Sequence, residues 1–240
     1  MADPAVSTDR YPGVDAIRGL AVVNMVAYHA CWFASDARLV TIDFSAPAWR
    51  AWQRGIAGTF FLLVGVGLHL ASVHGAGLRP FAARCARLLA CAAVVTATSV
   101  VLDPGRIVTF GVLHCILATS LLTWPLRALG PRALVLAAVA LALAAVPGIQ
   151  EFDSPRLAWL GLGLSHAPTF DFQPLFPWLG VVLLGLGVAG LLPRALLSFR
   201  PPGSRLLAVL GQHSLFVYMA HVPVLMAVSE TMTWCTKQSG

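Results

Sequence analysis

Charged side chains are scarce in this sequence. Asp, Glu, Lys and Arg make up 11% of the residues, whereas an average soluble domain contains about 25%. Hydrophobic residues reach 58%, more than a soluble fold of 240 residues can bury. They are grouped in runs of about 20, the length at which a helix crosses roughly 30 Å of hydrocarbon. The composition therefore excludes a soluble globular protein and predicts a membrane protein.

Cysteine and lysine are also scarce. The five cysteines, an odd number, show no CxxC spacing, which excludes a disulfide framework and predicts no metal site. Lys237 is the sole lysine and lies outside every apolar run, which excludes a retinal-type photoreceptor, because that class needs a lysine within a span. The formal net charge is +6, but the arginines flank the apolar runs instead of forming one basic surface. The sequence therefore predicts no nucleic-acid partner.

The apolar runs predict an all-α fold, a polytopic membrane helical bundle with about seven transmembrane helices. The predicted spans are residues 14–34, 53–73, 81–102, 107–129, 131–147, 174–192 and 206–230. Because arginine and lysine accumulate in cytoplasmic loops, the N-terminus is predicted to be cytoplasmic. Ten of the 16 basic residues then lie on the inner side and six on the outer side.

This topology predicts three parts of the chain. A short cytoplasmic segment covers residues 1–13, a single transmembrane domain covers 14–230, and a short external tail covers 231–240. The expected surroundings are the lipid bilayer of the cell inner membrane, which the chain crosses several times.

Two ionisable side chains lie inside the first predicted span, where burial in hydrocarbon marks candidate functional groups. Arg18 and His29 are eleven residues apart, which is three helical turns plus about 20°, so they share one helix face about 16.5 Å apart along the axis. The arginine fork can bind phosphate, and a neutral imidazole can accept a proton near neutral pH. An extended pantetheine arm is long enough to connect them, with nucleotide phosphates at Arg18 and a thioester at His29.

Both residues also have a structural interpretation. Arg18 fits a side chain that extends to the cytoplasmic interface and pairs with Asp15, three residues earlier. In the binding interpretation, Asp15 belongs to the same donor site. His29 fits a hydrogen-bonded packing histidine. Their shared helix face favours the functional interpretation.

Three further residues are candidate catalytic groups. His114 and His221 lie at a depth similar to that of His29 in their predicted spans, which favours one shared cavity. Tyr218 lies one turn before His221, and hydrogen bonding between helices also explains such a polar stripe. Asp171 precedes the sixth span, where an acidic residue also fits a helix start.

Five motifs carry a resemblance to a known family. VDAIRGLAVVNMVAYH, residues 14–29, resembles the first core helix of membrane-bound acyltransferases, which has an arginine, ten intervening residues and a histidine. The other motifs follow in order: FFLLVGVG at 60–67, FGVLH at 110–114, PLFPW at 174–178 and LGQHSLFVYMAH at 210–221. From about Tyr11 to Leu225, the chain resembles bacterial relatives of heparan-alpha-glucosaminide N-acetyltransferase.

The resemblance implies an acyl-CoA-dependent transmembrane N- or O-acetyltransferase. An acetyl or other short acyl group would pass from cytoplasmic acyl-CoA to an extracytoplasmic amine or hydroxyl of a small acceptor, expected to be a glycan. Arg18 would hold acetyl-CoA, and His29 would act as a base or become acylated itself. The lysosomal relative is longer and has asparagine where this chain has His29; its catalytic histidine lies further along, where this chain has Val40.

Two other functions also fit the residues. Paired intramembrane histidines are common axial ligands of haem, so a haem-binding electron-transfer protein is one alternative. A small-solute or proton transporter, with the polar stripe as its path, is another. A homo-oligomer is compatible with the sequence.

Overall fold

The computed structural model describes residues 11–146, 148–164, 169–199 and 203–238. Nine α-helices lie within these residues, and three short 3-10 segments connect some of them. The helices are α1 (Pro12–Asp36), α2 (Pro47–Val73), α3 (Leu78–Leu102), α4 (Val112–Thr123), α5 (Ala133–Ala145), α6 (Leu175–Ala189), α7 (Arg194–Ser198), α8 (Arg205–Gln212) and α9 (Ser214–Gln238). The 3-10 segments are Trp124–Arg132, Gln150–Phe152 and Ala158–Leu160.

The predicted class, a helical membrane bundle, is confirmed. Four segments of the described chain are long and apolar enough to cross a membrane: Pro47–Val73, Leu78–Leu102, Val112–Ala145 and Ser214–Cys235. The apolar helix α6 is shorter, with 15 residues. The number of seven spans stays a prediction.

Most predicted span boundaries are close to those of the helices. Helices α1, α3, α5 and α6 begin and end within three residues of the predicted positions. Helix α2 begins six residues earlier than predicted, at Pro47, and α4 begins five residues later, at Val112. The late start of α4 has a local cause: the backbone N–H and carbonyl of Val108 bond to side chains of α3, which holds this part of the chain outside the helix.

The last predicted span, 206–230, is not one helix. Helix α8 ends at Gln212, with His213 as its C-terminal cap, and α9 begins at Ser214. Gly211, just before the break, is a poor helix former and lies against the backbone of α1. This contact depends on the tertiary fold.

Some predictions concern residues outside the described ranges. These are residues 1–10 of the predicted N-terminal segment with Arg10, the end of the span 131–147 at Pro147, Arg200, and the last two residues of the tail 231–240. Within the described part of the tail, α9 continues to Gln238. The single transmembrane domain stays a prediction.

The chain divides into two compact units. The first consists of Met1–Ile56 and Leu192–Gly240, and the second of Ala57–Leu191. In the first unit, α1 packs against α7, α8 and α9. In the second unit, α6 packs against α4 and α5, and α3 packs against α4.

Glycines allow α1 and α8 to approach closely in the first unit. A Cβ on Gly19 would overlap the Leu207 carbonyl, and a Cβ on Gly211 would overlap the Asp15 carbonyl. Small residues at a crossing let two helix backbones come together, as is common in membrane bundles. The crossing places the end of α8 beside the first turns of α1, which carry Asp15 and Arg18.

The second unit contains an apolar core. Its centre contains Phe61, which is fully buried and stacks on Trp178 with 4.8 Å between the ring centroids. Gly65 and Gly185 each lie so close to the facing helix that a Cβ would overlap a backbone carbonyl, of Val182 and Leu62 respectively. This core holds α2, from Ala57 onward, against α6.

Candidate active site

Arg18 and Asp15 form an ion pair in the first turns of α1. Arg18 Nη1 lies 2.7 Å from Asp15 Oδ1, and Gln212 Nε2 on α8 donates to Asp15 Oδ2 at 3.4 Å. The Asp15 carboxylate also lies in the first helical turn, where the helix dipole favours a negative charge. A guanidinium has five N–H donors. The ion pair orients Arg18 and leaves further donors for a second anion.

His29 lies on the same helix and is half-buried. Its Nδ1 lies 2.9 Å from the carbonyl oxygen of Met25, one turn earlier. A carbonyl oxygen only accepts hydrogen bonds, so Nδ1 carries the proton and donates it. In the neutral ring, Nε2 therefore holds a lone pair and can accept a proton or act as a nucleophile.

His221 on α9 contacts His29 directly. The two rings meet edge to face, with 4.8 Å between their centroids and 70° between their planes. His221 Nδ1 lies 2.5 Å from the carbonyl oxygen of Tyr218, which fixes the same tautomer as in His29. His221 Nε2 is buried and has no hydrogen-bond partner among the described residues. Buried polar atoms are nearly always paired, so this nitrogen is a candidate contact for a bound substrate.

The ring contact bears on the haem alternative. Two axial histidines bind the iron from opposite faces of the macrocycle, which then lies between the two imidazoles. His29 and His221 instead touch each other edge to face, with no room for a macrocycle between them. Across the described part of the chain, no group of three or more His, Cys, Asp or Glu side chains is arranged to hold a metal ion.

His114 belongs to the second unit, and both of its ring nitrogens have local partners. Nδ1 accepts the backbone N–H of Gly111 at 3.3 Å, and Nε2 lies 3.3 Å from Thr96 Oγ1. The Thr96 hydroxyl donates to the Val108 carbonyl, so its oxygen accepts from His114 Nε2–H. These bonds tie the start of α4 to α3 and leave neither ring nitrogen with an open lone pair.

Asp171 also lies in the second unit, where it caps α4. Its Oδ2 accepts the backbone N–H of Val112, the first residue of that helix, at 2.7 Å. A Cβ on Gly111 would collide with the same carboxylate. The sequence suggested that Asp171 lies at the start of the sixth predicted span. Its carboxylate instead binds the start of α4. These contacts give Asp171 a structural role.

An aromatic cluster lies beside His29 and was not predicted from the sequence. It consists of Tyr28, Phe44, Trp49 and Trp52, and we call it the outer aromatic cluster. The Tyr28 centroid lies 5.5 to 6.0 Å from those of the other three rings and 5.7 Å from that of His29. The sequence pattern that could have predicted the cluster is Tyr28 next to His29, together with two tryptophans three residues apart on α2.

Two polar contacts fix this cluster. Trp52 Nε1 donates to Asn24 Oδ1 at 3.1 Å, which links α2 to α1. The hydroxyl and backbone N–H of Ser45 donate to Asp43 Oδ1 at 2.5 and 2.8 Å, closing the turn that carries Phe44. The Ser45 hydroxyl and N–H bonds lower the pKa of Asp43, so its carboxylate stays charged to a lower pH than that of a free aspartate.

The comparisons with known proteins bear on the whole site. Searches of curated proteins and of solved structures returned no significant match. The sequence profile of one family, described as heparan-alpha-glucosaminide N-acetyltransferase, catalytic, matches residues 10–223. That range covers most of the chain and contains Asp15, Arg18, His29 and His221. The chain therefore belongs to the family of the heparan-alpha-glucosaminide N-acetyltransferase catalytic domain, a family of membrane acetyltransferases.

Proposed function

We propose that this protein transfers an acetyl group from acetyl-CoA to an amine or hydroxyl of a sugar. The observation that carries the proposal is the contact between His29 and His221, whose Nδ1 atoms both donate to backbone carbonyls. Each ring thereby offers Nε2 for chemistry. Membership in the acetyltransferase family supplies the reaction class.

Arg18 binds the phosphates of acetyl-CoA in this proposal. Its distance from His29, about 16.5 Å along α1, suits the extended pantetheine arm. Asp15 holds the guanidinium in place and does not itself contact the phosphates, because two anions would repel. With the N-terminus in the cytoplasm, the donor enters from the inner side of a multi-pass protein in the cell inner membrane.

Direct transfer needs one base. The acceptor nitrogen or oxygen attacks the thioester carbonyl, and His29 Nε2 takes the proton that the acceptor loses. The C–S bond breaks as the new C–N or C–O bond forms, and the CoA thiolate recovers the proton. His221 Nε2 lies beside the reacting groups and accepts a hydrogen bond from the acceptor, which orients it for attack.

Transfer through an acyl-enzyme uses both histidines. His29 Nε2 attacks the thioester and CoA thiolate leaves; the acceptor then attacks acetyl-His29 and gives its proton to His221 Nε2. Incubation with labelled acetyl-CoA alone, followed by rapid quenching and peptide mapping, separates the two routes. Label on His29 identifies the acyl-enzyme, and unlabelled protein at short times identifies direct transfer.

His114 and Asp171 have no chemical role in this proposal. Both ring nitrogens of His114 are used within the second unit, and Asp171 caps α4. They hold the start of α4 in position. No observation favours the transporter over the transferase.

Acetyl transfer to glucosamine by the purified protein in proteoliposomes tests the proposed function. We expect His29→Ala to lower kcat/KM by about 10²- to 10⁴-fold, the usual contribution of a positioned base. His74→Ala is the matched control, because His74 is an exposed histidine that directly follows the end of α2 at Val73. Normal transfer by the His29 variant would contradict the assignment of the base.

A further inference from the structure

The outer aromatic cluster differs from ordinary membrane-interface anchors. Its rings pack against one another: Trp49 lies 5.3 Å from Trp52 and 5.0 Å from Phe44, between ring centroids. The Trp52 indole N–H is held by Asn24 on α1. Trp234 on α9, in contrast, is 60% exposed, as expected of a side chain that faces lipid. The rings of the cluster thus form one packed group and not a row of separate anchors.

Polar residues adjoin the cluster along the chain. Ser45, Arg50 and Gln53 are exposed and lie next to the cluster residues in the chain. Packed aromatic rings with polar residues next to them in the chain suit a sugar, whose ring has an apolar face of C–H bonds and hydroxyls around its edge. The negative face of an aromatic ring attracts those C–H bonds. An acyl chain, the other apolar occupant, would form no hydrogen bonds with these polar residues.

We propose that the outer aromatic cluster is the acceptor subsite, which binds the C–H face of a pyranose ring and presents its amine or hydroxyl to His29. The inference rests on the proposed acetyl transfer to a sugar and names the part of the molecule that recognises the sugar. Tyr28 links the two functions, because its ring contacts both His29 and the tryptophans. The bonds to Trp52 and around Asp43 hold the rings in place before the sugar arrives.

The test measures binding without turnover. Methyl β-glucosaminide is titrated into the full-length protein in detergent, and quenching of tryptophan fluorescence is followed in the absence of acetyl-CoA. We expect Trp49→Ala to weaken binding on the order of tenfold, about the effect of losing one aromatic stacking contact. Trp49→Phe, which keeps a ring, should restore most of the affinity. Trp234→Ala should bind the sugar as the wild type does.

A kinetic arm uses two acceptors in the same transfer assay. Glucosamine has a ring, whereas ethanolamine offers an amine without one. Trp49→Ala should raise KM for glucosamine by about the same factor as the binding constant, and leave KM for ethanolamine and for acetyl-CoA unchanged. An equal effect on both acceptors, or equal loss of sugar binding in Trp49→Ala and Trp234→Ala, would overturn the subsite.

The two proposals fail in different ways. If the wild type binds methyl β-glucosaminide through Trp49 but transfers no acetyl group, the proposed reaction is wrong and the subsite stands. If acetyl transfer proceeds but the sugar does not quench the tryptophan fluorescence of the wild type or of Trp49→Phe, the reaction stands and the subsite is wrong.

Discussion

Replacement of Asp171 separates a structural role from a catalytic one. In Asp171→Ala, the backbone N–H of Val112 loses an acceptor that lies 2.7 Å away at the start of α4. Loss of a helix N-cap costs about 0.5–2 kcal/mol. For a chain of this size, each kcal/mol lowers Tm by about 2–4 °C. We therefore expect the Tm of Asp171→Ala to fall by several degrees. The Tm of Asp171→Asn should fall less, because asparagine keeps an acceptor oxygen although it loses the charge.

The assay combines thermal unfolding in detergent with acetyl transfer well below Tm. A structural Asp171 predicts that both variants keep kcat/KM within about threefold of the wild type, because the loss of folded protein is negligible at that temperature. A loss of more than about 100-fold in kcat/KM with an unchanged Tm would refute the structural role, since losses of that size are typical of a positioned acid or base.

Three further predictions concern the first unit. Arg18→Lys should raise KM for acetyl-CoA by about 10- to 100-fold, because lysine lacks the planar fork that binds phosphate, and KM for the acceptor should not change. Initial rates measured over a range of donor concentrations test this. Gly211→Val should lower stability by about 1–3 kcal/mol or more in thermal unfolding, because its side chain would collide with the Asp15 carbonyl. Asp43→Ala should raise KM for glucosamine, whereas Asp43→Asn, which still accepts from Ser45, should not.

The helices could be predicted because membrane thickness sets their length and apolar residues mark them. The break at His213 could not, since it depends on how closely Gly211 packs against α1. Boundaries also shifted where side chains bind the backbone: Thr96 and Ser99 on α3 hold Val108 and delay the start of α4. These contacts join residues 9 to 12 positions apart and leave no periodic signal in the sequence.

The candidate site was predictable in part. The spacing of Arg18 and His29 follows from helix geometry alone. Depth indicated that His221 lies near His29, but the 4.8 Å contact depends on how α9 packs against α1. The same depth argument also selected His114, whose ring nitrogens bind Gly111 and Thr96 instead. Depth along a helix therefore finds candidates but does not identify the partners of each one.

A structure of the protein with bound CoA tests the central claim most directly. The account predicts CoA phosphates against the Arg18 guanidinium, the pantetheine arm along α1, and the sulfur beside His29 Nε2. The Asp15 ion pair should remain in place, as it orients Arg18 in the absence of ligand. Phosphates bound away from Arg18, or a sulfur that lies far from both His29 and His221, would contradict the account.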